Sequence, residues 1–87
     1  MDSNRLGMIA VVTEDLEASG LINDILHQHA DIIVGRLGIP YRSRGVGIIG
    51  LAVDGSMDAI SAMTGKLGKI HGVTVKSAIL PGEKKYV

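Results

Sequence analysis

Three histidines, His27, His29 and His71, are the side chains of this sequence best suited to hold a transition metal, because neutral imidazole is the commonest protein ligand for such ions. Their spacing argues against a site within one chain. His27 and His29 stand two apart near the end of an expected helix, where side chains at that spacing point to different sides; chelation on one helix face needs three or four. His71 falls in a Gly-flanked loop. As single residues they read as surface histidines, favoured near a helix C-terminus for their positive charge. A metal-responsive module would need copies of the chain to contribute His27, His29 or His71 jointly.

The main cluster of charge is Arg36, Arg42 and Arg44, close to Tyr41. Guanidinium groups present a planar fork that matches a carboxylate or phosphate, and an aromatic ring beside them can flank the ligand. Arg36, Tyr41, Arg42 and Arg44 are therefore the candidate ligand-binding residues, at a subunit boundary. The competing reading is a solvated hairpin whose charges keep a sheet edge from aggregating.

Gly45-Val46-Gly47-Ile48-Ile49-Gly50 matches G-x-G-x-x-G, but the context is wrong for a dinucleotide fingerprint. That motif opens a helix and is followed about twenty positions later by an acid. Here the apolar run continues through Leu51-Ala52-Val53, and the glycines instead permit a tight hairpin and close approach of another backbone. Gly65-Lys66 and Gly68-Lys69 lack the P-loop spacing. There is no cysteine, and no serine elbow or charged dyad can be placed beside a histidine, so no enzyme is expected.

The elements that must position these residues follow from periodicity. Leu6 to Val12 is continuous, apolar and partly β-branched, as in a strand covered on both faces. Thr13 or Asp15 can cap a helix whose apolar positions are Leu21, Ile22, Ile25 and Leu26, with Glu17, Asn23, Asp24 and Gln28 opposite. A second strand runs from Ile32 toward Ile39 and ends at Pro40, as an edge strand allows; Arg42 to Gly45 makes a polar turn. Val46 to Val53 carries small or apolar side chains throughout, which marks a central strand. Asp54-Gly55-Ser56 supplies turn and cap for a helix built on Ile60, Met63 and Leu67 that stops at Gly68. Val73 to Ala78 alternates as a strand with one wet face, and Pro81 to Val87 reads as a polar tail.

Strand, helix, strand, strand, helix, strand is the ferredoxin-like βαββαβ order: an α+β sandwich of one antiparallel four-stranded sheet with two helices on one face. The first and third strands are central, which leaves the other sheet face open. In the third strand Ile49, Leu51 and Val53 should meet the helices, leaving Val46, Ile48, Gly50 and Ala52 on the open side as an oligomer interface.

Residues 1–87 allow a single domain, and one of this size has a thin core. Without cysteine, stability must come from packing or association, and a cytoplasmic setting is expected. Nine basic residues balance nine acidic ones, so the positive field of a protein acting directly on nucleic acid is absent. The apolar run at Leu6–Val12 is too short to span a membrane.

The stretch Asp31 to Gly45 (DIIVGRLGIPYRSRG), followed in order by Leu51-Ala-Val-Asp-Gly55, Met63-Thr-Gly-Lys-Leu-Gly68 and Val73-Thr-Val-Lys-Ser-Ala78, resembles the small family of proposed iron-only hydrogenase system regulators. The resemblance covers most of the chain. It implies an ACT-like fold, similar to the C-terminal metal-sensing domain of nickel-responsive repressors; both relatives work as oligomers that sense small ligands. The chain departs from them in having no Cys, no room for a ribbon-helix-helix before Leu6, and Thr13-Glu14-Asp15 where ACT domains often place a glycine. The expectation is a regulatory, ligand-sensing homo-oligomer, dimer or tetramer, without its own DNA-binding domain. Its partners would be a small-molecule effector or another protein, and the metal-responsive module is the alternative.

Overall fold

The computed structural model describes residues 4–81. The polar tail read from Pro81 onward lies, past Pro81, outside the described residues, as do residues 1–3. Four strands, β1 (Arg5–Thr13), β2 (Ile33–Tyr41), β3 (Val46–Gly55) and β4 (Val73–Ile79), and two helices, α1 (Ser19–Gln28) and α2 (Met57–Gly68), follow one another as β1-α1-β2-β3-α2-β4. The sheet order is β2-β3-β1-β4, with every neighbouring pair antiparallel. This is the ferredoxin-like, ACT-like arrangement, with the first and third strands central.

Alternation explains the layering. Ile9 and Val11 of β1 and Leu51 and Val53 of β3 point to one side of the sheet. There they form one buried cluster with Ile22 and Leu26 of α1 and Ile60, Met63 and Leu67 of α2. Each helix thus contributes a stripe at helical spacing. Leu21, read as part of the α1 stripe, is instead 59% exposed.

The helices start where short polar side chains take up free backbone N–H groups. Ser56 Oγ accepts from Ala59 N at 3.1 Å. Before α1, Asp15 Oδ1 accepts from Glu17 N at 2.9 Å and starts a single helical turn, Leu16–Ala18, that leads into the helix. The two loops at this end of the molecule are tied together, since Glu14 N donates to Gly72 O at 2.9 Å. At the β2–β3 turn Gly45 has φ +67°, the left-handed region in which a side chain is strained. Gly55 is needed for a different reason: a Cβ there would come within 2.7 Å of Ile32 Cγ2.

One strand reading changes. β2 runs through Pro40 to Tyr41 rather than stopping before the proline; it is an edge strand, and one side of its backbone has no ladder to lose. Within the single chain the central strands are covered on one face, and the other is the open face that this topology was expected to leave. Met8 and Ile48, on the face away from the helices, are 53% and 40% exposed in the single chain.

Candidate functional site

A β-bulge at Val34 sets the geometry of the candidate site. Ile33 pairs with Val53 and Gly35 with Ala52, so Val34 is an extra residue with no partner across the ladder. Inserting one residue exchanges the two faces of everything that follows. Ile33 packs toward the helices, and beyond the bulge Arg36, Gly38 and Pro40 take the helix side, opposite Leu51, Ile49 and Gly47. Leu37, Ile39 and Tyr41 turn to the open side, opposite Gly50, Ile48 and Val46.

From Val34 to Tyr41 every residue of β2 is exposed, because α1 does not reach across the edge of the sheet. The gap is a cleft of about 320 Å³ between α1 and the β2–β3 hairpin. Ser19, Ile22 and Asn23 form its helical wall; Gly38, Pro40, Gly47 and Ile49 come from the hairpin, and Thr13 and Leu16 close one end. Arg36 and Arg42 supply its positive charge, and its lining contains no aspartate or glutamate. The guanidinium of Arg36 donates from Nη2 to Asn23 Oδ1 at 3.0 Å, which fixes the arginine against the helix and leaves its other N–H groups free to face a ligand.

The four candidate ligand residues therefore do not converge. Arg36 and Arg42 line the same cleft. Tyr41 lies on the opposite face of β2, and Arg44, in the turn Arg42–Arg44, is not among the lining residues. Sequence reasoning missed Asn23, Ser19 and Ile22 as partners of the arginines. Asn23 was assigned to the solvent side of α1, and no local signal connects it to a residue thirteen positions later.

Val46, Ile48, Gly50 and Ala52 all face away from the helices. They share that face with Leu6, Met8, Ala10 and Val12 of β1, with Leu37, Ile39 and Tyr41 of β2, and with Thr74, Lys76 and Ala78 of β4. The result is a broad, mainly apolar surface. Its large side chains are well exposed in the single chain, Leu37 most of all at 63%. Asp54 and Lys76 are its charged members.

The histidines are dispersed. Lys66 Nζ donates to Gln28 Oε1 at 3.2 Å and lies 3.2 Å from His29 Nε2. An ammonium group carries only donors, so that ring nitrogen accepts the bond. His27 lines a separate shallow depression with Asp24 and Arg36. Among the described residues no three His, Cys, Asp or Glu side chains are grouped to hold a metal ion, and no helix is long and apolar enough to cross a membrane.

Comparison with known proteins follows the same lines. The family described as "TM1266-like: Iron-only hydrogenase system regulator, putative" matches residues 5–77. The solved structure of the uncharacterized protein TM1266 from Thermotoga maritima is 36% identical, covers 91% of this chain and 100% of its own, and superposes with a TM-score of 0.86. Two more distant structures share the fold. A "putative glycine cleavage system transcriptional repressor" is 12% identical over 97% of this chain and 50% of its own, with a TM-score of 0.67. CPII from Thiomonas intermedia K12 is a nitrogen regulatory PII-like protein solved with ADP, AMP and bicarbonate. It is 13% identical over 88% of this chain and 91% of its own, with a TM-score of 0.58. No curated protein matches the sequence.

Proposed function

We propose that this chain, which belongs to the TM1266-like family of iron-only hydrogenase system regulators, is a regulatory module that works as a homo-oligomer and responds to a small effector. The observation that carries the reading is the uncovered apolar sheet face. Four strands about 4.8 Å apart and some nine residues long span on the order of 600 Å². Stacking two such faces buries about 1,200 Å², the lower bound for a stable specific interface. A second copy suits the face because it is apolar nearly throughout, as obligate interfaces between identical chains are. Val46, Ile48, Gly50 and Ala52 would form the middle of this contact, and the arginines of the adjoining hairpin, Arg36 and Arg42, would hold the effector. Regulation rather than catalysis is supported by the family description.

Equilibrium sedimentation near micromolar concentration is expected to return a dimer or tetramer; a clean monomer would overturn the assembly. The metal-responsive alternative separates by elemental analysis of untagged protein. The expected result is no stoichiometric transition metal, since binding at His29 Nε2 would have to displace Lys66. One equivalent of nickel, iron or zinc per subunit would reverse that preference.

A further inference from the structure

We infer that the cleft between α1 and the β2–β3 hairpin binds a small aliphatic carboxylate that carries no ammonium group; the inference rests on the regulatory reading only for its biological meaning. Charge comes first. Arg36 and Arg42 line the cleft from two places on the hairpin, and that lining holds no acid; Asp24 lies in the adjoining depression, which shares Arg36 and Asn23. Two cationic forks in a lining without an acid favour an anion, and a carboxylate matches the spacing of guanidinium donors in a bidentate pair. Because Asn23 Oδ1 anchors one of these guanidinium groups at 3.0 Å, part of the ordering cost is met before the ligand arrives.

The missing acid also decides what the ligand lacks. An α-amino acid would bring an ammonium group beside two guanidinium groups with no carboxylate on the wall to receive it, and like charges at close range repel. A keto or simple fatty acid offers the same carboxylate without that conflict. The remaining wall is mostly hydrocarbon, with Leu16, Ile22, Pro40 and Ile49 around the space, which suits an aliphatic body.

The dimensions of the cleft suit a small anion better than a large one. About 320 Å³ is the bulk volume of roughly ten waters, so it fits a ligand of about that many heavy atoms. A nucleotide has more than twice as many and would extend well beyond the cleft. Gly38 keeps the floor open, since a Cβ added there would meet nothing within 4 Å.

Isothermal titration of the full chain with ketoisocaproate, hexanoate, leucine, inorganic phosphate and AMP tests the assignment. Saturable binding of the two acids below about 10 mM is expected, with leucine at least about tenfold weaker. The double substitution Arg36→Met, Arg42→Met should weaken the acids by about tenfold or more. Gly38→Val, whose three added carbons take up part of the cleft, should weaken their binding by about tenfold or more, with the far-ultraviolet spectrum and melting curve of the parent. Leucine, phosphate or AMP binding as tightly as the acids, acid binding indifferent to both variants, or no saturable acid binding would each overturn the inference. The titration reads binding and sedimentation reads assembly. A monomer that binds the acid leaves this inference standing, and an oligomer that binds none leaves the assembly standing.

Discussion

Ile48→Asp is expected to turn the oligomer into folded monomers. Ile48 stands on the open face toward the β2–β3 turn, opposite Val12 of β1 and Ile39 of β2, and is 40% exposed in the single chain. An aspartate there meets water in the monomer and costs the fold little. In the assembly it would place an unpaired carboxylate in an apolar contact at a cost of several kcal/mol, and two-fold symmetry would impose it twice. The association constant should fall by at least about a thousandfold, the equivalent of about 4 kcal/mol. Sedimentation of the variant, with circular dichroism to confirm the fold, checks this. Met8→Asp, on β1 and away from the cleft, is the companion variant, since Ile48 also borders the cleft. If both variants sedimented as the parent does, the contact between copies would lie elsewhere.

Leu51→Ala should have the opposite signature, a loss of stability rather than of assembly. Leu51 is fully buried on the helix side of the central strand, within the cluster that joins both helices to the sheet. Truncating it removes the transfer free energy of the lost carbons and leaves a cavity that a close-packed core fills only in part, together about 3 kcal/mol. For a domain of this size that is on the order of a 15 °C fall in melting temperature. Measured at matched protein concentration, because association itself raises the midpoint, a shift of only a degree or two would show that the core lies elsewhere. Three positions along one strand thus separate folding from the proposed association: Leu51 faces the helices, whereas Ile48 faces the open side.

Much of this contrast was legible in the order of residues. Ile49, Leu51 and Val53 alternate with Ile48, Gly50 and Ala52, and a strand sends successive side chains to opposite faces. The bulkier set meets the helices, as its volume demands. Ser56 at the α2 cap was readable because it meets a need of the backbone that few residues satisfy; Gly68, read as the stop, is the last residue of the helix, but the left-handed glycine of this loop is Gly72. The apolar composition of β1 and β3 on both sides has the same root, one side meeting the helices and the other forming the open face.

The second strand shows where local reading stops. Its residues were grouped by proximity along the chain, which put Arg36, Tyr41, Arg42 and Arg44 into one site. A single unpaired residue at Val34 sends Arg36 to the helix side and Tyr41 to the open side, and nothing in the side chain of a valine announces a bulge.

By itself, then, the sequence determined the element order, the central and edge strands, the helix-facing core and the apolar open face, because each is written in periodicities of two or 3.6 residues and in caps of one or two. The tertiary structure alone decided that Arg36 and Arg42 share a cleft with Asn23 of α1 while Tyr41 does not. That outcome depends on register across β2 and β3 and on how far α1 extends over the sheet edge, and both are set by packing between segments distant in the chain.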